Sequence, residues 1–535
     1  MKTLEFDYVV VGAGAAGCVV AARLAEDRAV AVGVIEAGGS DSALIMRIPA
    51  ANVATGTDPR YNWAYESEPV PALGDRRLYW AQGRVVGGSG SINGMMYMRG
   101  HRSDYDRWAA NGCTGWSYDD VLPYFRKAET NERGASDLHG GDGPLQVSAG
   151  RATAPVCDMF LEAARDTGFA LTDDLNNDIP EAFGHVDMTI GNGQRSSTSA
   201  AYLRPALKRG NVTVLTQALA TRILIENGAA AGIEFIHEGE RRRAMAARSV
   251  VLCGGAVNSP QLLMLSGIGD AGQLRAFDIP VEADRPEVGR NLQNHPMYKL
   301  MYTVTEPVSA YSHVRPAGAL SAGLQYALGR KGVLSRGLFP TSGFFHADQG
   351  DGETEIQVCM APAPVVRRKP GVLGILPAEH GFTLLLNHGS PFSRGTVRLK
   401  SADPATHAAI TPNYFSDPRD IDILARGARR VHEIVQAGPL KRILGRELSP
   451  ERPTSTQAEI EDDIRRTAVT HYHPVGTCRM GSDDASVVDT QLRVRGVENL
   501  RVADASVMPV LVNGNTYAAT IMVAEKAADL IRAGH

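Results

Sequence analysis

Two histidines one residue apart, His471 and His473 in HYHPVGTCRM at 471–480, and Asn515 in VNGNTYAAT near the C-terminus are the side chains best placed to do chemistry in this chain. An imidazole has an unperturbed pKa of about 6.5 and takes up protons near neutral pH. A carboxamide stays neutral and can hold a substrate oxygen by hydrogen bonding. An alcohol needs this combination if it is to lose a hydroxyl proton while its carbon gives up a hydride. A hydride acceptor must then be held beside them.

The N-terminus, FDYVVVGAGAAGCVVAARL, predicts where. An apolar strand over 6–11 runs into Gly12-Ala-Gly14-Ala15-Ala16-Gly17, a helical stretch follows, and a second buried strand over 30–35 ends at Glu36 and Ala37. Gly12 makes the turn, Gly14 lets backbone approach a pyrophosphate, and Gly17 lets helix pack on strand. The helix N-terminus favours phosphate charge, and Glu36, about 20 residues on, can accept from a ribose diol. This fingerprint does not separate NAD from FAD. A second glycine run, Gly88-Ser-Gly90-Ser91-Ile92-Asn93, lacks the last glycine and a proper strand before it, and reads as a loop approaching the same cofactor. With no second strand–glycine–helix unit, one dinucleotide must carry the electrons, which favours a flavin.

Composition narrows the field. The 535 residues, 44% of them hydrophobic, exceed one simple domain, and two intertwined domains are expected. Net charge is −4 with no basic stripe, which argues against nucleic acid as a partner. No run approaches the roughly 20 apolar residues of a membrane span, and the early strand leaves no room for a signal peptide. A cytoplasmic protein is expected, with peripheral membrane contact left open. The cysteines, Cys18, Cys113, Cys157, Cys253, Cys359 and Cys478, form no C-x-x-C pair and read as reduced, buried small hydrophobes.

Further segments carry a family resemblance: YNWAYESEP at 61–69, GRVVGGSGSINGMMYMRG at 83–100, GGAVNSPQLLMLSGIG at 254–269, VGRNLQNHP at 288–296, YHPVGTCRMG at 472–481 and LRVADASVMP at 500–509. With the fingerprint, they make the chain resemble the glucose–methanol–choline (GMC) oxidoreductases, FAD enzymes that oxidise alcohols, and within them the bacterial primary-alcohol, polyethylene glycol and choline dehydrogenases. The resemblance implies that Gly83, Arg84, Gly87, Gly88, Ser91, Asn93, Gly94 and Met95 lie along the pyrophosphate and flavin. It places Ala220 at the adenine, Gly255, Asp504, Ala505 and Thr516 against the cofactor, His473 as base, and Asn515 as its partner beside the flavin. Ile92 occupies the position where some members carry a histidine that bonds FAD covalently, so FAD is expected to be held non-covalently. Two departures stand out: Tyr517 replaces an Asn and Ala519 a Pro, so Tyr517 is expected to reshape the flavin edge or the substrate approach.

The alternation His-Tyr-His predicts a strand with His471 and His473 on one side and Tyr472 on the other. His471 then lines the substrate pocket, or is a satisfied wall residue, or pairs with His473 on a metal. The last reading ranks lowest because no acid or further histidine is near in sequence, and no metal is expected. Tyr61, Trp63 and Trp80 read as core aromatics; Arg99, His101 and Arg102 read as a solvated turn.

The expected fold class is α/β. A Rossmann-like FAD-binding domain at 1–155, 195–300 and 475–535 is intertwined with an α+β substrate domain at 156–194 and 301–474. That second domain is expected to rest on a mixed or antiparallel sheet, with strands in EIQVCMAP, GFTLLLNHG and GTVRLKS and helices in DIDILARGARRVHEIVQA and TQAEIEDDIRRTA. The expected activity is oxidation of a primary alcohol by proton abstraction at His473 and hydride transfer to flavin N5, with electrons passed to a quinone or other acceptor. An oxidase releasing hydrogen peroxide is the rival, and a hydroxynitrile-lyase-like flavoprotein the remote one. Oligomeric state is left open.

Overall fold

The last four residues of strand Lys2–Val11 are buried, as is all of strand Val32–Ile35. Apolar runs of this kind suit the middle of a parallel sheet covered on both faces. In the computed structural model, which describes residues 2–179, 181–313, 315–348, 354–365, 379–452 and 454–534, both lie in a seven-stranded sheet. Its order is Val212–Leu215, Val32–Ile35, Lys2–Val11, Glu240–Leu252, Ala229–His237, Ala218–Glu226. Strand Leu500–Val502 pairs in parallel with the end of Glu240–Leu252. The parallel strands therefore finish together at Gly12, Glu36, Cys253 and Ala503, the edge where ligands bind in doubly wound sheets.

Helix Ala15–Leu24 follows the first strand and packs against helix Tyr517–Ala533, bringing the C-terminal segment to the same edge. A Cβ on Gly17 would lie 1.8 Å from the Gly12 carbonyl oxygen, and one on Gly88 would lie 2.7 Å from the Gly14 Cα. The two glycine turns are thus in backbone contact, which side chains there would prevent.

The second sheet is antiparallel: Leu444–Ser449, Pro296–Val304, Gly381–His388, Ile356–Ala361, Thr341–Phe345, Ala182–His185, with Val469–Thr470 beside Pro296–Val304. Its pleat divides the work. Tyr298, Leu300, Leu384 and Leu386 enter a core shared with helix Pro418–Val435, while Met297, Lys299, Thr383 and Leu385 line a cavity against the first sheet. Helix Gln457–Thr467 begins with a capping box between Thr456 and Glu459. Two expectations need correction. Strand Pro296–Val304 runs through the boundary placed at 300/301. The GTVRLKS segment does not join this sheet; its strand Thr396–Arg398 pairs only with Ala409–Thr411 in a separate ribbon.

The turn at 99–102 also departs from expectation. Arg99 is 1% exposed; it pairs with Glu129 at 2.7 Å and donates to the Leu138 carbonyl. Arg102 remains an exposed partner of Asp119. His139 sits between Glu129 and Asp174, each at 2.9 Å. Burial alone would lower its pKa, but the two carboxylates outweigh burial and lift it to about 9. The cluster anchors the 95–100 segment that carries Met95. A histidine whose folded pKa exceeds its unfolded value stabilises fully below about pH 6.5 and loses that contribution as pH rises through about 9. We therefore expect the Tm to fall by roughly a few degrees between pH 7 and 10, and His139→Gln to flatten that slope in calorimetric scans.

Candidate active site

A cavity of about 520 Å³ lies between the two sheets. It is lined by Gly14, Ala15 and Ala16 with Gly88 and Ser89, by Asn93, Gly94, Met95, Asp504 and Ala505, and by His471, His473, Asn515 and Thr516. Helix Ala15–Leu24 has Gly14 as its N-cap and no side chain capping it, so its first N–H groups face the cavity without a side-chain acceptor. A cavity lined by a helix N-terminus, two glycine turns and a pair of histidines fits an extended dinucleotide, whose phosphates a helix N-terminus would favour.

The other sequence-derived positions divide into lining and supporting residues. Gly83 and Gly255 line the cavity. Gly12, with φ +96°, and Gly87, with φ +88°, make the turns rather than the wall. Ser91 Oγ donates to the Val86 carbonyl and holds the loop from behind. Arg84 is exposed and stacks over Trp63 at 4.8 Å from the ring centroid. Ala220 lies in the edge strand and Ala37 just past strand Val32–Ile35, both half-buried. Glu36 is buried, its carboxylate accepting from Ala13 N and Gly38 N at 2.7 Å each; burial raises its pKa to about 7 against these bonds. Asp504 accepts from Gly255 N, Ser259 Oγ and Ser506 N, and burial raises its pKa. Its carboxylate is therefore a clamp between the two segments.

Tyr517 lines the cavity but faces the underside of the glycine loop. Its ring fills the space a Cβ on Gly90 would take, and its hydroxyl accepts from Thr198 N at 3.0 Å. Trp63, expected in the core, lines the cavity with Tyr65, whereas Trp80 is fully buried. Ile92 also faces the cavity and offers no nucleophilic atom.

At the histidine end, the predicted strand is absent: Tyr472 adopts a left-handed φ of +66°. The rings of His471 and His473 nevertheless lie 4.5 Å apart, centroid to centroid. The segment is held by pairing with residues 293–296: His471 N donates to His295 O, Val475 and Gln293 exchange backbone bonds, and Asn294 Oδ1 accepts from His473 N. That pairing brings in His295, a residue sequence reasoning passed over although NLQNHP was among the matching segments. His295 is fully buried, with Nδ1 2.9 Å from His473 Nδ1 and Nε2 2.9 Å from the Gly389 carbonyl.

These contacts fix the protons. A carbonyl can only accept, so His295 carries hydrogen on Nε2 and a lone pair on Nδ1. His473 must then donate from Nδ1, which leaves its lone pair on Nε2, facing Asn515 Nδ2 at 3.1 Å. Gln357 Nε2 donates to Asn515 Oδ1 at 3.4 Å, which turns the amide nitrogen toward His473. Burial lowers the pKa of His471 to about 4 and of His295 to about 3, and holds His473 well below 6.5, with the neighbouring imidazoles adding to it. The three rings are neutral at neutral pH.

The nitrogens of His295, His471 and His473 also lie within 4.8 Å of one another, a possible metal set. Nitrogens around a tetrahedral zinc at about 2.05 Å sit roughly 3.3 Å apart and must all present lone pairs. The 2.9 Å His295–His473 contact is a hydrogen bond by length and by the Gly389 constraint.

The chain matches a GMC oxidoreductase N-terminal family model over residues 6–297 and the corresponding C-terminal model over 391–524. It is similar to mitochondrial choline dehydrogenase of Mus musculus, 43% identical over 99% of this chain and 90% of that protein. It is similar to the oxygen-dependent choline dehydrogenase of Paraburkholderia xenovorans (strain LB400), 42% identical over 99% of this chain and 95% of that protein. Among solved structures it is similar to pyridoxine 4-oxidase from Mesorbium loti, with a TM-score of 0.88, 32% identity and 99% of both chains covered. Two family models covering most of the sequence, full-length relatives above 40% identity and a cavity shaped for a dinucleotide agree. The chain belongs to the GMC oxidoreductase family and is an FAD-dependent oxidoreductase acting on CH–OH groups.

Proposed function

We propose that this enzyme oxidises a primary alcohol bearing a neutral polar or heteroaromatic group to the aldehyde, with FAD held non-covalently and electrons passed to a quinone or another acceptor. The observation that carries the reading is the directed chain from the Gly389 carbonyl through His295 to His473, which leaves the Nε2 lone pair of His473 to accept from the Asn515 amide, the place a substrate hydroxyl would take. FAD supplies the hydride acceptor when bound. Everything else falls to the chain's own residues. A substrate hydroxyl entering at Asn515 donates to Nε2 of His473 and accepts from Nδ2 of Asn515. His473 takes the proton at Nε2 while its Nδ1–H stays committed to His295, so the ring cannot turn away. The apolar wall of Met297, Leu338, Phe339 and Leu385 limits water at the reacting end.

The relatives named for choline favour a second reading, a quaternary ammonium alcohol. The wall argues against it. Among the described lining residues the one carboxylate is Asp504, already clamped by Gly255, Ser259 and Ser506. The likeness to a pyridoxine oxidase supports a heteroaromatic alcohol and keeps the oxidase alternative in play.

An anaerobic panel of aliphatic, benzylic, furanic and pyridyl alcohols with choline, followed by flavin bleaching, tests the reading. Pyridyl or furanic alcohols should bleach the flavin fastest; choline alone bleaching it would overturn the substrate class, and no bleaching with any alcohol would overturn the activity. Admitting air after reduction should give slow reoxidation, and rapid peroxide release would convert the assignment to an oxidase. His473→Ala should slow flavin reduction by roughly 100-fold or more without loss of FAD content, measured by stopped flow. His295→Leu should lower the same rate by less, since Nε2 survives but its tautomer is no longer imposed.

A further inference from the structure

Helix Pro316–Gly329 is apolar yet faces outward. Leu320, Leu324 and Leu328 are 66%, 52% and 87% exposed, while Ala322 and Tyr326 are its buried residues. Positions four apart stack on one face, and positions two apart lie on opposite sides. The leucine row therefore points directly away from the protein body. Scattered exposed leucines are ordinary, but three in register on one helix form a continuous apolar strip of the kind that marks a docking surface.

Charge says what covers it. Residues 307–347 contain no aspartate or glutamate, and Arg315, Arg330, Lys331 and Arg336 bracket the helix. Arg315, Arg330 and Lys331 are exposed. An apolar strip with cations at both ends and no acid matches the boundary of an anionic lipid layer, where leucines enter the acyl region and bases meet headgroup phosphates. The helix, at 14 residues, is roughly 21 Å long, shorter than the roughly 30 Å hydrocarbon core, so it would lie in the interface. No helix among the described residues is long and apolar enough to cross a membrane.

The strip is also continuous with the site. The helix packs against the turn Val333–Ser335, which is followed by Leu338 and Phe339 in the cavity wall. The same turn packs against Pro49–Ala51, and the preceding helix Leu44–Arg47 exposes Leu44 (66%), Ile45 (38%) and the basic Arg47.

We propose that the face formed by Leu320, Leu324 and Leu328 with Arg315, Arg330 and Lys331 docks the enzyme on an anionic membrane surface, next to the wall of its own cavity. A lipid-soluble electron acceptor would then have a short path to the site, a consequence that rests on the quinone reading above; the docking itself does not.

The test is flotation of holoenzyme with vesicles of phosphatidylcholine alone or mixed with phosphatidylglycerol, at low and high salt, with no turnover involved. Wild type should float with the mixed vesicles, and salt should weaken it. Leu324→Glu with Leu328→Glu should cut binding by roughly tenfold or more. Arg330→Gln with Lys331→Gln should cut binding to the mixed vesicles by roughly fivefold per cation and leave neutral vesicles unaffected. Unchanged flavin absorbance and dye-coupled alcohol oxidation would show that both variants are folded. Absence of wild-type binding at low salt, or binding indifferent to the leucine changes, overturns the proposal. A dimer that Leu324→Glu splits in sedimentation, without vesicle binding, overturns it in favour of a second copy on this face.

Discussion

The carbonyl oxygen of Gly389 has no proton to give, and the direction of the hydrogen bonds through His295 and His473 follows from that. Were the group at that point a hydroxyl or a water, His295 could present either nitrogen, and His473 could hold its proton on Nε2 and have no base facing the alcohol. A backbone acceptor removes that freedom. The strand ending at His388 belongs to the antiparallel sheet, and His295 opens onto the neighbouring strand of the same sheet. The sheet therefore fixes a proton position in the active site as well as building its wall.

Burial reinforces the same arrangement. Three imidazoles packed together out of solvent cannot all ionise, and desolvation holds each below its solution pKa. A neutral His473 is ready to accept a proton but pays a desolvation penalty for keeping it. Under the proposed function, proton uptake is favoured only while compensating negative charge develops nearby, which would tie it to departure of the hydride. Asn515 adds a dipole without adding charge, and its orientation is set by Gln357 rather than left to rotate. The amide and the base come from opposite ends of the molecular design: one at the N-terminus of helix Tyr517–Ala533, the other in a segment zipped to 293–296.

The dinucleotide end was legible in the sequence because its geometry is local. Strand, glycine turn and helix follow one another within 24 residues, and each glycine has a steric reason that neighbours in sequence reveal. The helices around 418–435 and 457–467 were legible as helix-like runs. What stayed hidden depends on distant contacts. His295 is 178 residues from His473, and its role follows from sheet pairing and a carbonyl at 389. Arg99 looked solvated because Glu129, which neutralises it, lies 30 residues away. Tyr517, larger than the Asn it replaces, suggested a reshaped flavin edge or substrate approach, but Gly90 leaves a hollow that its ring fills, and its hydroxyl accepts from Thr198 N. The His-Tyr-His strand failed for a local reason: the left-handed turn at Tyr472 brings the rings together without extended backbone.

His471 packs against His473 in the cavity wall, with its Nδ1 buried and without a hydrogen-bond partner. Leaving such a group unsatisfied costs about 1–3 kcal/mol, which the fold bears while keeping the ring in place. Burial keeps this ring and its two neighbours uncharged, so the histidine end of the cavity offers dipoles and lone pairs and no cation. Under the proposed function, the base at His473 and the amide at Asn515 would serve any primary alcohol, and the uncharged rings beside them set a neutral polar environment for the rest of the molecule.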